Sequence, residues 1–149
     1  MDFNKFDSVS AAEKGAAMQL KDPATLAPLF TEDGKPCEVI LLGSEAPSVR
    51  AAMRELQKAR ANSQDAEGDT DDEGVSYDQI HDKLVEGLLP RVVGFNNVFN
   101  GDKPATKRDA KWFFGLNRFN GQEGEKSFAE QAAEFSAKRG GYLGNASAG

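Results

Sequence analysis

A chain of 149 residues with a formal net charge of −6 and a pI near 4.9 is long enough for one domain with its own core, since a fold of this size removes roughly 68–70% of its unfolded surface from water without a disulfide or metal staple. One cysteine, Cys37, and one histidine, His81, exclude both an intramolecular disulfide framework and a zinc module, each of which needs several such side chains. No run nears the roughly 18 apolar residues of a membrane span, Met1-Asp2-Phe3-Asn4-Lys5 lacks signal-peptide blocks, and the acidic balance is opposite to a nucleic-acid binder's footprint, so a cytosolic protein with protein partners is expected.

Ser10-Ala11-Ala12-Glu13 has the spacing of a capping box, predicting a short helical turn that Gly15 halts. Met18 and Leu20 alternate with Gln19 and Lys21 before the Asp22-Pro23 turn, as in a strand. A further apolar stretch over 26–30 leads to Asp33-Gly34, then to the β-branched-rich run Cys37-Glu38-Val39-Ile40-Leu41-Leu42, closed by Gly43. Residues 1–43 thus read as a small antiparallel sheet with Asp33-Gly34 in a turn.

Val49, Ala52, Met53, Leu56 and Ala59 repeat on one helical face over about 48–62, with Ser44 or Ser48 as the expected cap. Asp65, Glu67, Asp69, Asp71, Asp72 and Glu73 follow with no cation among them, and removing them leaves 18 acidic against 18 basic residues. Such dense like charge reads as a mobile acidic connector over 62–75. An EF-hand frame begun at Asp69 places Gly74 in the turn but Ile80 where the bidentate glutamate belongs, which argues against calcium.

Ser76 and Gln79 form a second capping box, before the stripe Ile80, Leu84, Val85, Leu88 and Leu89, which Pro90 ends. Residues 92–104 fit either an extended segment or a helical turn and loop. Thr106 announces a helix carrying Trp112, Phe113, Phe114 and Leu116; Ser127 with Glu130 announces the last, which buries Phe128 and Phe135 and stops at Gly140-Gly141. The fold class is α+β: one domain, a small N-terminal antiparallel sheet followed by a mainly α-helical remainder of about four helices, with the helical part over 76–145. With 39% hydrophobic residues and a mean hydropathy of −0.56, much of the core rests on thirteen aromatics, ten of them Phe, each contributing about 1.5–3 kcal/mol when buried.

No pattern of residues signals catalysis. His81 has no nucleophile at a recognisable spacing and is expected at the surface or its boundary, while Cys37 is expected as a small buried hydrophobe. Phosphate-loop glycine patterns are missing. Lys103, Lys107, Arg108, Lys111 and Arg118 are interleaved with Trp112, Phe113, Phe114 and Phe119, a combination single-strand binders use, but Lys107, Arg108 and Lys111 fall on one helical face and Trp112 and Phe113 on another. The reading is therefore a non-enzymatic protein without cofactor or metal, and nucleic acid is disfavoured as a partner.

The order of residues resembles the tail assembly chaperones of long-tailed bacteriophages and prophages. Carrying the resemblance are Ser10-Ala11-Ala12-Glu13-Lys14-Gly15-Ala16, Met18-Gln19-Leu20-Lys21-Asp22-Pro23-Ala24-Thr25, Pro28, Gly34-Lys35-Pro36 and Leu41-Leu42-Gly43. Farther along come Val93-Gly94-Phe95-Asn96-Asn97-Val98, the segment 106–112, and the closing stretch from Phe128 through Leu143-Gly144-Asn145. Arg139-Gly140-Gly141-Tyr142 and the strongly acidic connector depart from the pattern.

The resemblance implies a factor of the host cytoplasm that binds the tape-measure protein, keeps it soluble and helps recruit the tail-tube protein; self-association into a homo-oligomer stays open. Interface anchors favour large aromatics, so the expected partner-binding set is Phe95, Phe99, Trp112, Phe113, Tyr142 and Leu143, with core packing the alternative for Trp112 and Phe113. Two other readings stand beside it: a structural tail or neck protein of the virion, and an acidic inhibitor that mimics nucleic acid through 65–73.

Overall fold

The computed structural model describes residues 1–67 and 76–143. After a short 3-10 turn over Phe3–Phe6, α1 (Ser8–Lys14) leads into β1 (Ala16–Gln19) and β2 (Glu38–Leu41). The helices α2 (Pro47–Glu67) and α3 (Tyr77–Leu88) follow, then β3 (Val92–Asn96) and the two-residue strands β4 (Phe99–Asn100) and β5 (Lys103–Pro104). Three further helices, α4 (Ala110–Phe114), α5 (Phe128–Ala137) and α6 (Gly140–Leu143), complete the described chain.

The α+β expectation holds, with a small antiparallel sheet at its centre in the order β1-β2-β3. Its third strand comes from 92–96, the segment whose periodicity was ambiguous, and it pairs Phe95 with Val39 and Gly94 with Ile40. Val39 and Leu41 alternate inward along β2 while Glu38 and Ile40 stay partly exposed, as one covered face requires. The connection between β1 and β2 folds back on itself: Leu29 donates to the Leu20 carbonyl and accepts from Cys37 N–H, and Phe30 bridges Pro36 across the Asp33-Gly34 turn.

The inner sheet face meets α3, α4 and α5. Phe113 sits at the centre, stacked on Phe128 at 4.7 Å and edge-on to Phe95 at 4.9 Å and Phe114 at 5.3 Å. Around them lie Met18, Leu20, Val39, Leu41, Leu88 and Val92, all buried. A smaller cluster of Ala12, Ala46 and Val49 joins α1 to α2.

The capping boxes at Ser76 and Ser127 form as their spacing predicts, while at Thr106 the Asp109 carboxylate accepts from Thr106 N–H at 2.8 Å and the segment opens as a 3-10 turn (Lys107–Asp109) before α4. At Ser10 the expectation fails. Asp7 caps α1 by accepting from Ser10 N–H at 3.0 Å, which places Ser10 inside the helix and frees Glu13. Glu13 instead reaches α2, accepting from Ser48 N–H at 2.9 Å and Ser48 Oγ at 2.7 Å. Neither Ser44 nor Ser48 is the donor-satisfying cap; a carboxylate 35 residues upstream meets the exposed amides of that helix start.

Helix α2 continues to Glu67, so 62–67 of the expected connector is helical, and the rest of that connector and the calcium frame from Asp69 to Gly74 lie outside the described residues. The last helix also differs from expectation. It stops at Ala137, where Lys138 turns extended, and Gly140-Gly141 belong to α6. A Cβ on Gly141 would sit 2.9 Å from the Phe135 ring, so a glycine lets the chain fold back against α5. Residues 144 and 145 lie outside the described residues.

Candidate functional site

The expected partner-binding residues divide among three environments. Phe113 is 2% exposed and makes the aromatic contacts at the centre of the core; it is a core side chain, a correction that follows from α4 pressing its apolar face onto the sheet. Phe95 and Trp112 pack partly buried against the same cluster. Phe99, on the β4–β5 hairpin, is 54% exposed. Tyr142 and Leu143 lie on α6, where the Tyr142 ring meets Phe135 at 5.5 Å and approaches Gly43.

The surface aromatics that sequence reasoning missed are at the N-terminus, on the β1–β2 connection and at the start of α3, where Tyr77 is 56% exposed. Phe3 is 72% and Phe6 48% exposed, their rings edge-to-face at 5.6 Å, and Lys5 Nζ lies 5.3 Å from the Phe6 centroid. Phe30 is 55% exposed, and Val9 and Val93 are also exposed. The available signal was the spacing of Phe3, Phe6 and Val9 outside any amphipathic stripe long enough to bury them.

Where α1, α2, α5 and α6 converge, the packing becomes polar. Arg91 Nη1 donates to Ser44 Oγ and Ser136 Oγ, each at 2.8 Å, and Ser136 Oγ donates to the Leu42 carbonyl at 3.0 Å. Arg139 forms a paired contact with Glu45 through Nε and Nη2, both at 3.0 Å. Burial weakens the hold of Arg91 on its proton and pushes the Tyr142 hydroxyl up to about 12. Beside these groups a cavity of about 20 Å³, lined by Ser8, Ser44, Ser136 and Tyr142 among others, has room for one water.

His81 departs from its expected surface position: it is 1% exposed. Its Nδ1 accepts from Phe119 N–H at 3.4 Å and Nε2 has no partner. Desolvation, then the nearby Arg118, holds its pKa below the ordinary value against the opposing Asp82, Asp78 and Glu130 carboxylates. The signal was present, since His81, Val85 and Leu88 share the apolar stripe of α3.

Cys37 is partly buried, and burial followed by the charge of Glu38 raises its thiol pKa, which disfavours the reactive thiolate. In the basic-aromatic cluster, Phe113 and Phe114 are buried while Arg118 donates to Asp78 and Asp82, so these rings offer no stacking platform for bases. Among the described residues, no three His, Cys, Asp or Glu side chains gather as a metal site, and no helix is long and apolar enough to cross a membrane.

No family model, no curated protein and no solved structure matches the chain.

Proposed function

We propose that this chain is a tail assembly chaperone of a long-tailed bacteriophage or prophage, acting in the host cytoplasm to bind the tape-measure protein, hold it soluble and help bring tail-tube subunits to it. The observation that carries this reading is the set of phenylalanines left outside the core, Phe3, Phe6, Phe30 and Phe99, each about half or more exposed. A contiguous apolar patch on a small folded protein marks a site of association, and Phe3 and Phe6 stand side by side with their rings 5.6 Å apart. A tape-measure chain presents apolar helical stripes over a great length, which such side chains can cover, while a net charge of −6 opposes aggregation of the complex. The resemblance in residue order supplies the biological setting.

The test is affinity capture of the tagged protein from its induced host, with the double substitution Phe3→Ser and Phe6→Ser alongside. The expected result is co-purification of a very long helical protein with tube subunits, lost in the double variant while its circular dichroism and melting stay unchanged. Presence in purified particles at fixed stoichiometry would instead make it a structural tail or neck protein. Recovery of a host nuclease, abolished by converting the 65–73 carboxylates to amides, would make it a nucleic-acid mimic.

A further inference from the structure

In the order β1-β2-β3, β1 is an edge strand. Its register pairs Met18 with Val39 and Gln19 with Glu38, and Leu20 N–H donates to the Cys37 carbonyl at 2.8 Å. Alternate residues of an antiparallel ladder turn their main-chain groups toward the partner. Ala16, Met18 and Leu20 therefore face β2, while Ala17, Gln19 and Lys21 face away from it. At Lys21 those outward groups are met by α5: Gln131 Oε1 accepts from the Lys21 N–H at 2.9 Å, and Gln131 Nε2 donates to the Lys21 carbonyl at 3.0 Å. One carboxamide thus stands in for a neighbouring strand. Farther along the edge, the main-chain groups of Ala17 and Gln19 meet no such partner among the described residues.

A groove of about 400 Å³ lies beside this edge, between β1 and α5. Met18, Leu26 and Phe135 give it an apolar lining. Leu26 holds that place with φ at 64°, a left-handed conformation rare for so bulky a side chain, fixed by its N–H donating to the Asp22 carbonyl at 2.7 Å. The charged lining is basic, although the whole chain carries −6. Lys126 is paired with Glu134, whereas Lys21 and Lys138, both exposed, have no carboxylate within ion-pair distance among the described residues.

We infer that this edge receives an extended acidic segment of a partner protein, which adds a strand beside β1. Its main chain pairs with Ala17 and Gln19, its apolar side chains enter the space bounded by Met18, Leu26 and Phe135, and its carboxylates meet Lys21 and Lys138. One strand can carry both sets, because successive side chains point to opposite faces. In strand addition the main-chain hydrogen bonds supply affinity and the side-chain pockets supply specificity. Here the two free cations select for acid. The site uses none of the exposed phenylalanines and does not depend on the tail assembly reading.

The experiment is an amide-resolved hydrogen-exchange and NMR titration of the full chain near neutral pH with a short, end-blocked peptide of alternating valine and glutamate. In the free protein the Ala17 and Gln19 amides should exchange rapidly and the Met18 amide slowly. Saturating peptide should slow Ala17 and Gln19 about tenfold or more and leave Met18 unchanged. A peptide with lysine in place of glutamate should bind about tenfold more weakly, as should the acidic peptide to the double variant Lys21→Gln and Lys138→Gln, whose exposed positions leave the free spectrum intact. N-methylation of the acidic peptide at one alternate set of amides should weaken binding about tenfold, and at the other set very little, because an added strand turns only one of its edges to β1. Unsaturable binding, equal binding of the glutamate and lysine peptides, an unchanged affinity in the double variant, or equal effects of the two methylation sets would each overturn the proposal. So would slow Ala17 and Gln19 exchange in the free protein that depends on its concentration, which would assign the edge to a second copy of the chain.

Discussion

The core beneath the sheet and the corner where α1, α2, α5 and α6 meet are built on different physics. Around Phe113 the contacts are apolar and redundant: three phenylalanine rings lie within 5.3 Å of it and aliphatic side chains of all three sheet strands close the shell. At the corner the buried side chains are small, Ala12, Ala46 and Val49, and directional contacts to Arg91, Ser44, Ser136, Glu13 and Glu45 do the joining. The hydrophobic effect is indifferent to orientation, so the core tolerates adjustment wherever volume is kept. The corner depends on backbone proximity and on donors meeting acceptors.

The largest expected effect breaks the core. Phe113→Ala removes the ring at its centre and leaves a cavity that β2, β3 and α5 cannot all collapse to fill, at a cost of about 3–5 kcal/mol. Against a total stability of roughly 5–15 kcal/mol, urea unfolding should show a midpoint displaced far toward zero. A loss under about 1 kcal/mol would mean that Phe113 is not the centre of the packing and would restore it as an interface candidate.

The same contrast explains what could be read in advance. Strands β1 and β2, the α3 stripe and the Ser76 and Ser127 caps obey local rules, with partners three residues apart or alternating along one strand. They were legible because propensity, periodicity and packing agree there. The corner's contacts join residues 35, 45, 47 and 94 positions apart, and no local pattern announces them. Ser10 shows the failure most plainly: its spacing to Glu13 satisfied a capping box, but Asp7 offered a better oxygen and Glu13 was drawn to a distant helix start. At β3, Gly94 and two asparagines weakened the alternation, and pairing to β2 decided the conformation. For the site, residue type identified aromatics but not their depth, so Phe113 was grouped with Phe99 although one is buried and the other exposed.

A smaller effect probes the corner. A Cβ on Gly43 would lie 2.7 Å from Ala12 Cβ and 3.1 Å from the Tyr142 ring, and the rigid Ala12 methyl cannot yield without moving α1. Gly43→Ala should therefore cost about 1–3 kcal/mol as an overpacked substitution, less than Phe113→Ala, and should speed hydrogen exchange at the Gly43 amide, which donates to the Ala12 carbonyl at 3.0 Å. Unchanged stability would mean that α1 rides loosely on α2 and that the corner is no structural joint.

The finest distinction lies in acid sensitivity, because the two regions titrate in separate windows. His81, at the edge of the core, has a folded pKa below its ordinary 6.5, so the unfolded chain takes up a proton first. Its neutral form contributes full stability above pH 6.5, and that contribution declines as pH falls toward the depressed folded value, by no more than about 1.4 kcal/mol per pH unit for one proton. Glu13 has its pKa lowered below 4.5, first by the Ser48 backbone N–H and then by the Ser48 hydroxyl. Its contribution is present above pH 4.5 and is lost as pH falls through the lower folded value. Urea midpoints followed from pH 7.5 down to pH 3.5 should accordingly fall in two stages. His81→Gln should flatten the upper stage and Glu13→Gln should diminish the lower one, each leaving the other in place, because the two groups serve different packing regions and share no partner. A single stage abolished by either substitution would instead join core and corner into one titrating unit, and the division between apolar centre and polar joint would fail.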